Sequence, residues 1–233
     1  MKKKFAVIGL GHFGLNLCVH LTEKGAEVLG IDVREERVEL LRDRVAHAMI
    51  LDSRDLRVMR TLGLEEMDAI VVAIGEDFEA SILTTANLQE IGVKKIINRV
   101  VTPVHEKLLK LMKIHDMILP ESEAAYTLAQ RLTMTGVLEC LELDENYSIA
   151  EVAVPRNFIG KTVAEVELRK EYRANLVTVV RKSAEDRMMT LGHRQSVQVL
   201  GVPTSDFVFS ENDILVVFAT ERDLEALGKL SAL

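Results

Sequence analysis

Phe5-Ala6-Val7-Ile8-Gly9-Leu10-Gly11-His12-Phe13-Gly14, followed by Glu27-Val28-Leu29-Gly30-Ile31-Asp32, decides the fold. A short β-prone apolar run opens straight into G-x-G-x-x-G. An amphipathic helix follows, and a second apolar run ends in a carboxylate about 20 residues beyond the glycines. Each part has its own physical reason. Gly9 permits the tight turn, Gly11 lets the backbone approach a pyrophosphate, and Gly14 lets the helix pack close to its strand. The helix from His12 aims free N–H groups and its positive dipole end at phosphates. Asp32 is placed to accept hydrogen bonds from a ribose diol and to repel a ribose 2′-phosphate. Strand, helix and acid in register imply adenine-nucleotide binding; the alternative is a turn retained only for packing.

Phe5–Ile8, Glu27–Asp32, Ala46–Leu51, Ala69–Ile74, Lys95–Arg99 and Met117–Leu119 read as strands. His12–Lys24, Glu35–Arg44, Leu56–Leu62, Phe78–Gly92 and Pro103–Met112 read as the helices between them. Alternating β and α segments predict an α/β fold, a doubly wound parallel sheet covered on both faces. The unbroken apolar run Ala69–Ile74 fits a strand buried on both sides. A helix-prone segment runs from Glu121 to about Leu138, after which the pattern changes. Ile149–Val154, Asn175–Arg181 and Ile214–Phe218 read as strands, with helices around Lys161–Val166 and Glu221–Leu230. This is a small α+β lobe, with a hairpin or loop expected near Gly192, Gly201 and Pro203. The expected organisation is a nucleotide-binding lobe over 1–120, a crossover helix and linker over 121–140, and a C-terminal lobe over 141–233.

Bulk composition excludes several classes. The 233 residues are 48% hydrophobic and 28% charged, enough for one large or two modest cores. A net charge of −7 argues against a broad nucleic-acid surface, which rests on many Lys and Arg contacts to phosphate. Cys18 and Cys140 belong to no C-x-x-C or Cys/His metal spacing, which suggests free thiols in a reducing compartment. The Met-Lys-Lys-Lys-Phe start has too short an apolar run for a signal peptide, and no stretch approaches a membrane span. The expectation is therefore a soluble, cytoplasmic chain whose membrane role comes through a partner. His20, His47, His105, His115 and His193 are scattered without ligand spacing. Met188-Met189 and the stripe Leu108, Leu109, Leu111 and Met112 read as core or as subunit contact.

The chain resembles the RCK family (regulators of K⁺ conductance), specifically its Ktr/Trk-type potassium-uptake subunits. The resemblance rests on Gly9–Gly14, on Ile31–Val38, on Ala73-Ile74-Gly75 followed by Ala80–Thr85, and on Ile118-Leu119-Pro120-Glu121. In the second half Leu168–Tyr172, Asn175-Leu176-Val177 and Glu211–Val217 carry it. The resemblance implies a Rossmann lobe that dimerises and builds a ring, in such systems an octamer, beneath an integral membrane K⁺ channel or transporter. It implies ATP, ADP or NAD(H) as ligand, lined by Gly9, Gly11, His12, Phe13, Gly14, Asp32, Val33 and Arg34. Asp52 and Ser53 would lie by the adenine, Ala73, Ile74 and Gly75 would form a wall, and Arg99 would face the phosphates. Glu121 matches a position used for a divalent or monovalent cation. Arg169, Asn175 and Leu176 match a stretch that binds cyclic di-AMP in some members.

Two departures limit the carry-over. His12 stands where many Ktr-type members have the arginine that meets the terminal phosphate of ATP, and histidine is shorter and near neutral at pH 7. The segment from Ser183 to Asp206 is longer than the family pattern. Competing functions remain a regulator of another cation transporter, such as a cation/proton antiporter, and a small NAD-dependent oxidoreductase. The last needs an acid or base beside the nicotinamide, and no catalytic pair is evident in the C-terminal lobe.

Overall fold

In the computed structural model, which describes residues 2–182 and 197–231, the first apolar run becomes the centre of a six-stranded sheet. The strands are β1 Lys4–Ile8, β2 Glu27–Asp32, β3 His47–Ile50, β4 Ala69–Val72, β5 Ile96–Arg99 and β6 Met117–Ile118. Their order is β3-β2-β1-β4-β5-β6, and every pair is parallel. Between them lie α1 His12–Glu23, α2 Glu35–Glu39, α3 Leu56–Met59, α4 Phe78–Ile91 and α5 Pro103–Leu111. Chain order reverses at the β1/β4 neighbours, so a crevice opens beyond their carboxyl ends, the ligand position of such sheets. Core forms on both sheet faces: Ala6, Ile8, Ile31, Ile70 and Val72 contribute to one cluster, Val7, Val28, Cys18 and Val71 to the other.

The termini of these helices follow local chemistry. Asp77 caps α4 by accepting from the Ala80 N–H at 2.9 Å, and Gly92 closes it in the left-handed conformation at φ 84°. Thr102 caps α5, with Pro103 pre-set for the first turn. The helix expected over Glu35–Arg44 stops at Glu39 and passes into turns. Its buried anchors are Val38 and Leu41, and the following Arg42, Asp43 and Arg44 are exposed, so burial gives no reason to propagate it.

Contacts divide the chain into Met1–Ser122 and Glu123–Leu233. The segment expected to stay helical to about Leu138 ends earlier: α6 spans Pro120–Thr133, and β7 Val137–Glu142 follows. Gly136 makes the break, with φ 77° and no room for a side chain, since a β-carbon there would stand 2.1 Å from the Gly228 carbonyl oxygen. The second sheet contains β7, β8 Tyr147–Ala153, β9 Asn175–Lys182, β10 Val197–Val199 and β11 Asp213–Thr220. Its order is β10-β9-β11-β8-β7, antiparallel throughout. Two short helices, α7 Val163–Val166 and α8 Leu168–Glu171, precede β9, and α9 Glu221–Ser231 buries Leu224 and Leu227 in the same core as Phe158, Phe209, Val152 and Leu215. Asp213 is buried and chelated by Arg181, whose Nε donates to Oδ1 at 2.6 Å. Gly192, His193 and the Met188-Met189 pair lie outside the described residues.

Candidate nucleotide site

The crevice at the strand-order reversal is a cavity of about 590 Å³, inside the size range of small-molecule sites. Gly9, with φ 97°, forms its turn; a β-carbon there would meet the Ile74 nitrogen at 2.8 Å. Gly14 sits behind that turn, where a β-carbon would stand 2.0 Å from the Gly9 carbonyl oxygen. Gly11 caps α1 with extended backbone and no side-chain cap, so the first-turn N–H groups of α1 stay available at the wall formed by Gly11, His12 and Phe13. Ile8, Ile31 and Leu51 add apolar lining, suited to a planar base.

Asp32 ends β2 at the cavity wall and is 6% exposed. Its Oδ2 accepts from the buried Leu10 N–H at 2.7 Å, and its Oδ1 accepts from the Arg34 N–H at 2.9 Å. The carboxylate therefore holds the glycine turn and the β2–α2 turn in shape, with acceptor capacity left for a diol. Val33 and Arg34 line the same edge. Asp52 faces the cavity, and the Arg54 side chain, which donates to both its oxygens, holds its carboxyl below the ordinary range. Ser53 lines the cavity too, but its hydroxyl turns inward onto Thr84 Oγ1 at 2.6 Å and its carbonyl accepts from Asn87.

On the opposite wall Ala73, Ile74 and Gly75 leave β4. Arg99 crosses behind Gly75, where a β-carbon would meet its Nη1 at 2.7 Å, and its Cζ lies 6.0 Å from the Phe13 ring centre. Arg99 pairs with Glu121, and both reach the cavity. Among the described residues no three His, Cys, Asp or Glu side chains form a cluster able to hold a metal. Thirteen of the fourteen lining positions expected from the sequence, together with Glu121, lie on the cavity, and Gly14 stands just behind it. The structure adds Arg37, Arg54, Glu76 and Asp77. The three-residue spacing of Arg34 and Arg37 was a signal for one of these; nothing local in the sequence links Glu76 to them. In the second unit Arg169 Nε donates to Asn175 Oδ1 at 2.7 Å, and Leu176 packs partly against the core.

The doubly wound sheet, glycine turn and acid define a Rossmann-type unit, followed by a small α+β lobe. The TrkA-N domain model matches residues 5–120 and the TrkA-C domain model residues 149–232. Ktr system potassium uptake protein C of Bacillus subtilis (strain 168) is 35% identical over 98% of this chain and 97% of its own. Ktr system potassium uptake protein A of the same organism is 29% identical over 96% and 94%. The chain belongs to the RCK family and is a homologue of the Ktr/Trk potassium uptake regulatory proteins. Among solved structures, the GsuK RCK domain aligns with a TM-score of 0.63 at 21% identity over 100% of this chain and 48% of that one. The GsuK channel bound to NAD aligns with a TM-score of 0.63 at 19% identity over 99% of this chain and 40% of its own. These two likenesses bear on the fold, and this chain spans half or less of either. No helix among the described residues is long and apolar enough to cross a membrane.

Proposed function

We propose that this chain is a non-catalytic regulatory subunit of a potassium uptake system, which binds an adenine nucleotide in the β1/β4 crevice and thereby biases the conformation of a homo-oligomeric ring. The carrying observation is the crevice itself: an uncapped helix N-terminus, a glycine turn that only glycine fits, and a buried acid at the ribose edge. Adenine rests on Ile8, Ile31 and Leu51, the ribose diol on Asp32, and the phosphates on the Gly9–Phe13 turn facing Arg99. The family's NAD-bound and potassium-uptake members support the same ligand class and a membrane transporter as partner, with the chain held at the cytoplasmic face through that partner. Glu121, once phosphates compete for Arg99, is free to take a cation with donors from the ligand or another copy.

Coupling is a matter of linkage: a nucleotide shifts the ring only by its differential affinity for two ring states. Moving a gate from mostly closed to mostly open takes about 5.5 kcal/mol. Eight copies supply that with under about 1 kcal/mol each. The oxidoreductase reading has only the Rossmann-type fold to favour it, whereas the relatives that match nearly the whole chain are potassium uptake proteins.

The test is a thermal-shift and calorimetric panel of ATP, ADP, NAD⁺ and NADH on chain stripped of carried-over ligand. A true ligand at a hundred times its Kd raises stability by about 2.7 kcal/mol. Silence from every compound at millimolar concentration rejects the reading. Oxidation of NADH with a panel of small carbonyls would favour the enzyme instead.

A further inference from the structure

The guanidinium pair at the ribose edge of the crevice already holds an anion. Glu76, in the turn after β4, reaches across the mouth so that its Oε2 accepts from Arg34 Nη1 at 3.0 Å and its Oε1 from Arg37 Nη2 at 3.1 Å. Arg34 caps α2 and Arg37 lies within it, so one carboxylate ties the β2 side of the crevice to the β4 side. Exposure is unequal: the side chains are 70% exposed for Glu76, 39% for Arg34 and 22% for Arg37. The cations are held by the fold, and the acid is the member free to leave.

Charge balance explains the contact. Asp32 lies 3.6 Å from Arg34 Nε and 3.8 Å from Arg37 Nη1, and its oxygens are committed to two backbone N–H groups at shorter range. One carboxylate cannot neutralise two guanidinium groups, and Glu76 supplies the second negative charge. Arg37 Nη1 also stands 3.7 Å from the point a methyl on Gly11 would occupy, beside the turn that receives phosphates. Among the described residues, the buried Arg34 Nε has no hydrogen-bond partner. A phosphate brings more charge and more acceptor oxygens to such a pair than a carboxylate does.

We infer that Glu76 is a resident anion: it occupies Arg34 and Arg37 in the empty crevice and is displaced by the phosphates of an entering adenine nucleotide. It thereby sets selectivity by phosphate number, which rests on the nucleotide reading above. A ligand without phosphates cannot compete for the pair and binds with Glu76 in place. Ligands with two or three phosphates dislodge it and lose part of their attraction in doing so, because an exposed ion pair is weak yet not free to break.

Titration calorimetry of the stripped full chain with adenosine, AMP, ADP and ATP, at fixed ionic strength, tests this in wild type and Glu76→Gln. Glutamine keeps the length and loses the charge. The variant is expected to bind ADP and ATP roughly five- to tenfold tighter and AMP less so, with adenosine within about twofold of wild type. Glu79→Gln removes an equal charge from the first turn of α4, outside the cavity lining, and should leave ADP within about twofold. A gain shared equally by adenosine, a gain matched by Glu79→Gln, or no gain for ADP while wild type binds it overturns the inference and leaves the nucleotide reading intact. No binding of any of the four ligands by either protein takes both down.

Discussion

A β-carbon on Gly14 would stand 2.0 Å from the Gly9 carbonyl oxygen, whereas one on Gly11 meets nothing nearer than Arg37 Nη1 at 3.7 Å. On the proposed reading the two glycines are therefore required for different things, one by the fold and one by the ligand. Gly14→Ala forces α1 off the turn, an overpacking expected to cost more than about 2 kcal/mol, seen as a lowered urea midpoint without any nucleotide. Gly11→Ala should move stability by less than about 1 kcal/mol and still weaken ADP binding, because the methyl enters the space of the phosphates. Equal destabilisation by both would contradict this division. Asp32 combines the two roles. Asp32→Ala orphans the buried Leu10 N–H, expected to cost about 1–3 kcal/mol in the empty protein. Its loss of nucleotide affinity must be measured by calorimetry on chain shown folded by circular dichroism, and it should exceed that of Gly11→Ala.

Between α4, β5 and α5 runs a line of buried polar side chains. Ser81 Oγ meets His105 Nε2 at 3.3 Å, and Asn98 Nδ2 donates to Thr85 Oγ1 at 2.8 Å. His105 is fully buried and edge-on to Phe78, its Nδ1 has no partner among the described residues, and burial lowers its pKa. A neutral imidazole in the folded chain means that acid favours unfolding, since the unfolded histidine takes up a proton that the folded one refuses. The stabilisation is complete above the ordinary histidine range and is lost as pH falls through about 6.5, by at most about 1.4 kcal/mol per pH unit. His105→Gln should therefore narrow its stability gap to wild type between pH 7.5 and 5.5 in urea titrations; a constant gap would place the proton elsewhere. Elements with one strong period were legible in the sequence: all six strands of the first sheet and the span of α4 follow from apolar runs and caps. β7 was not, because Leu138, Glu139, Leu141 and Glu142 favour helix and the break depends on Gly136 meeting Gly228, 92 positions away in sequence. The crevice was legible where it depends on backbone and on β-strand ends. Its electrostatics were not, since Glu76 finds Arg34 and Arg37 only after folding joins residues 42 and 39 apart.

Each of the two units owns a core: the clusters around Ile8, Val72 and Val7 draw on residues before Ser122, and the Phe158–Phe209 cluster draws on residues after Glu123. Every residue lining the crevice, Glu121 included, belongs to Met1–Ser122. The helix at the boundary, α6, has no buried residue, and none of the three core clusters draws on it. On the proposed reading, the residues that would recognise the nucleotide therefore all lie in Met1–Ser122. A fragment of residues 1–122 is expected to fold, to show the far-ultraviolet signature of an α/β domain, and to bind ADP within about threefold of the full chain. A fragment that folds but loses more than about tenfold, roughly 1.4 kcal/mol, would mean that the second unit or a second copy contributes to the site. Threefold or less would confine the role of Glu123–Leu233 in the proposed function to what happens after binding.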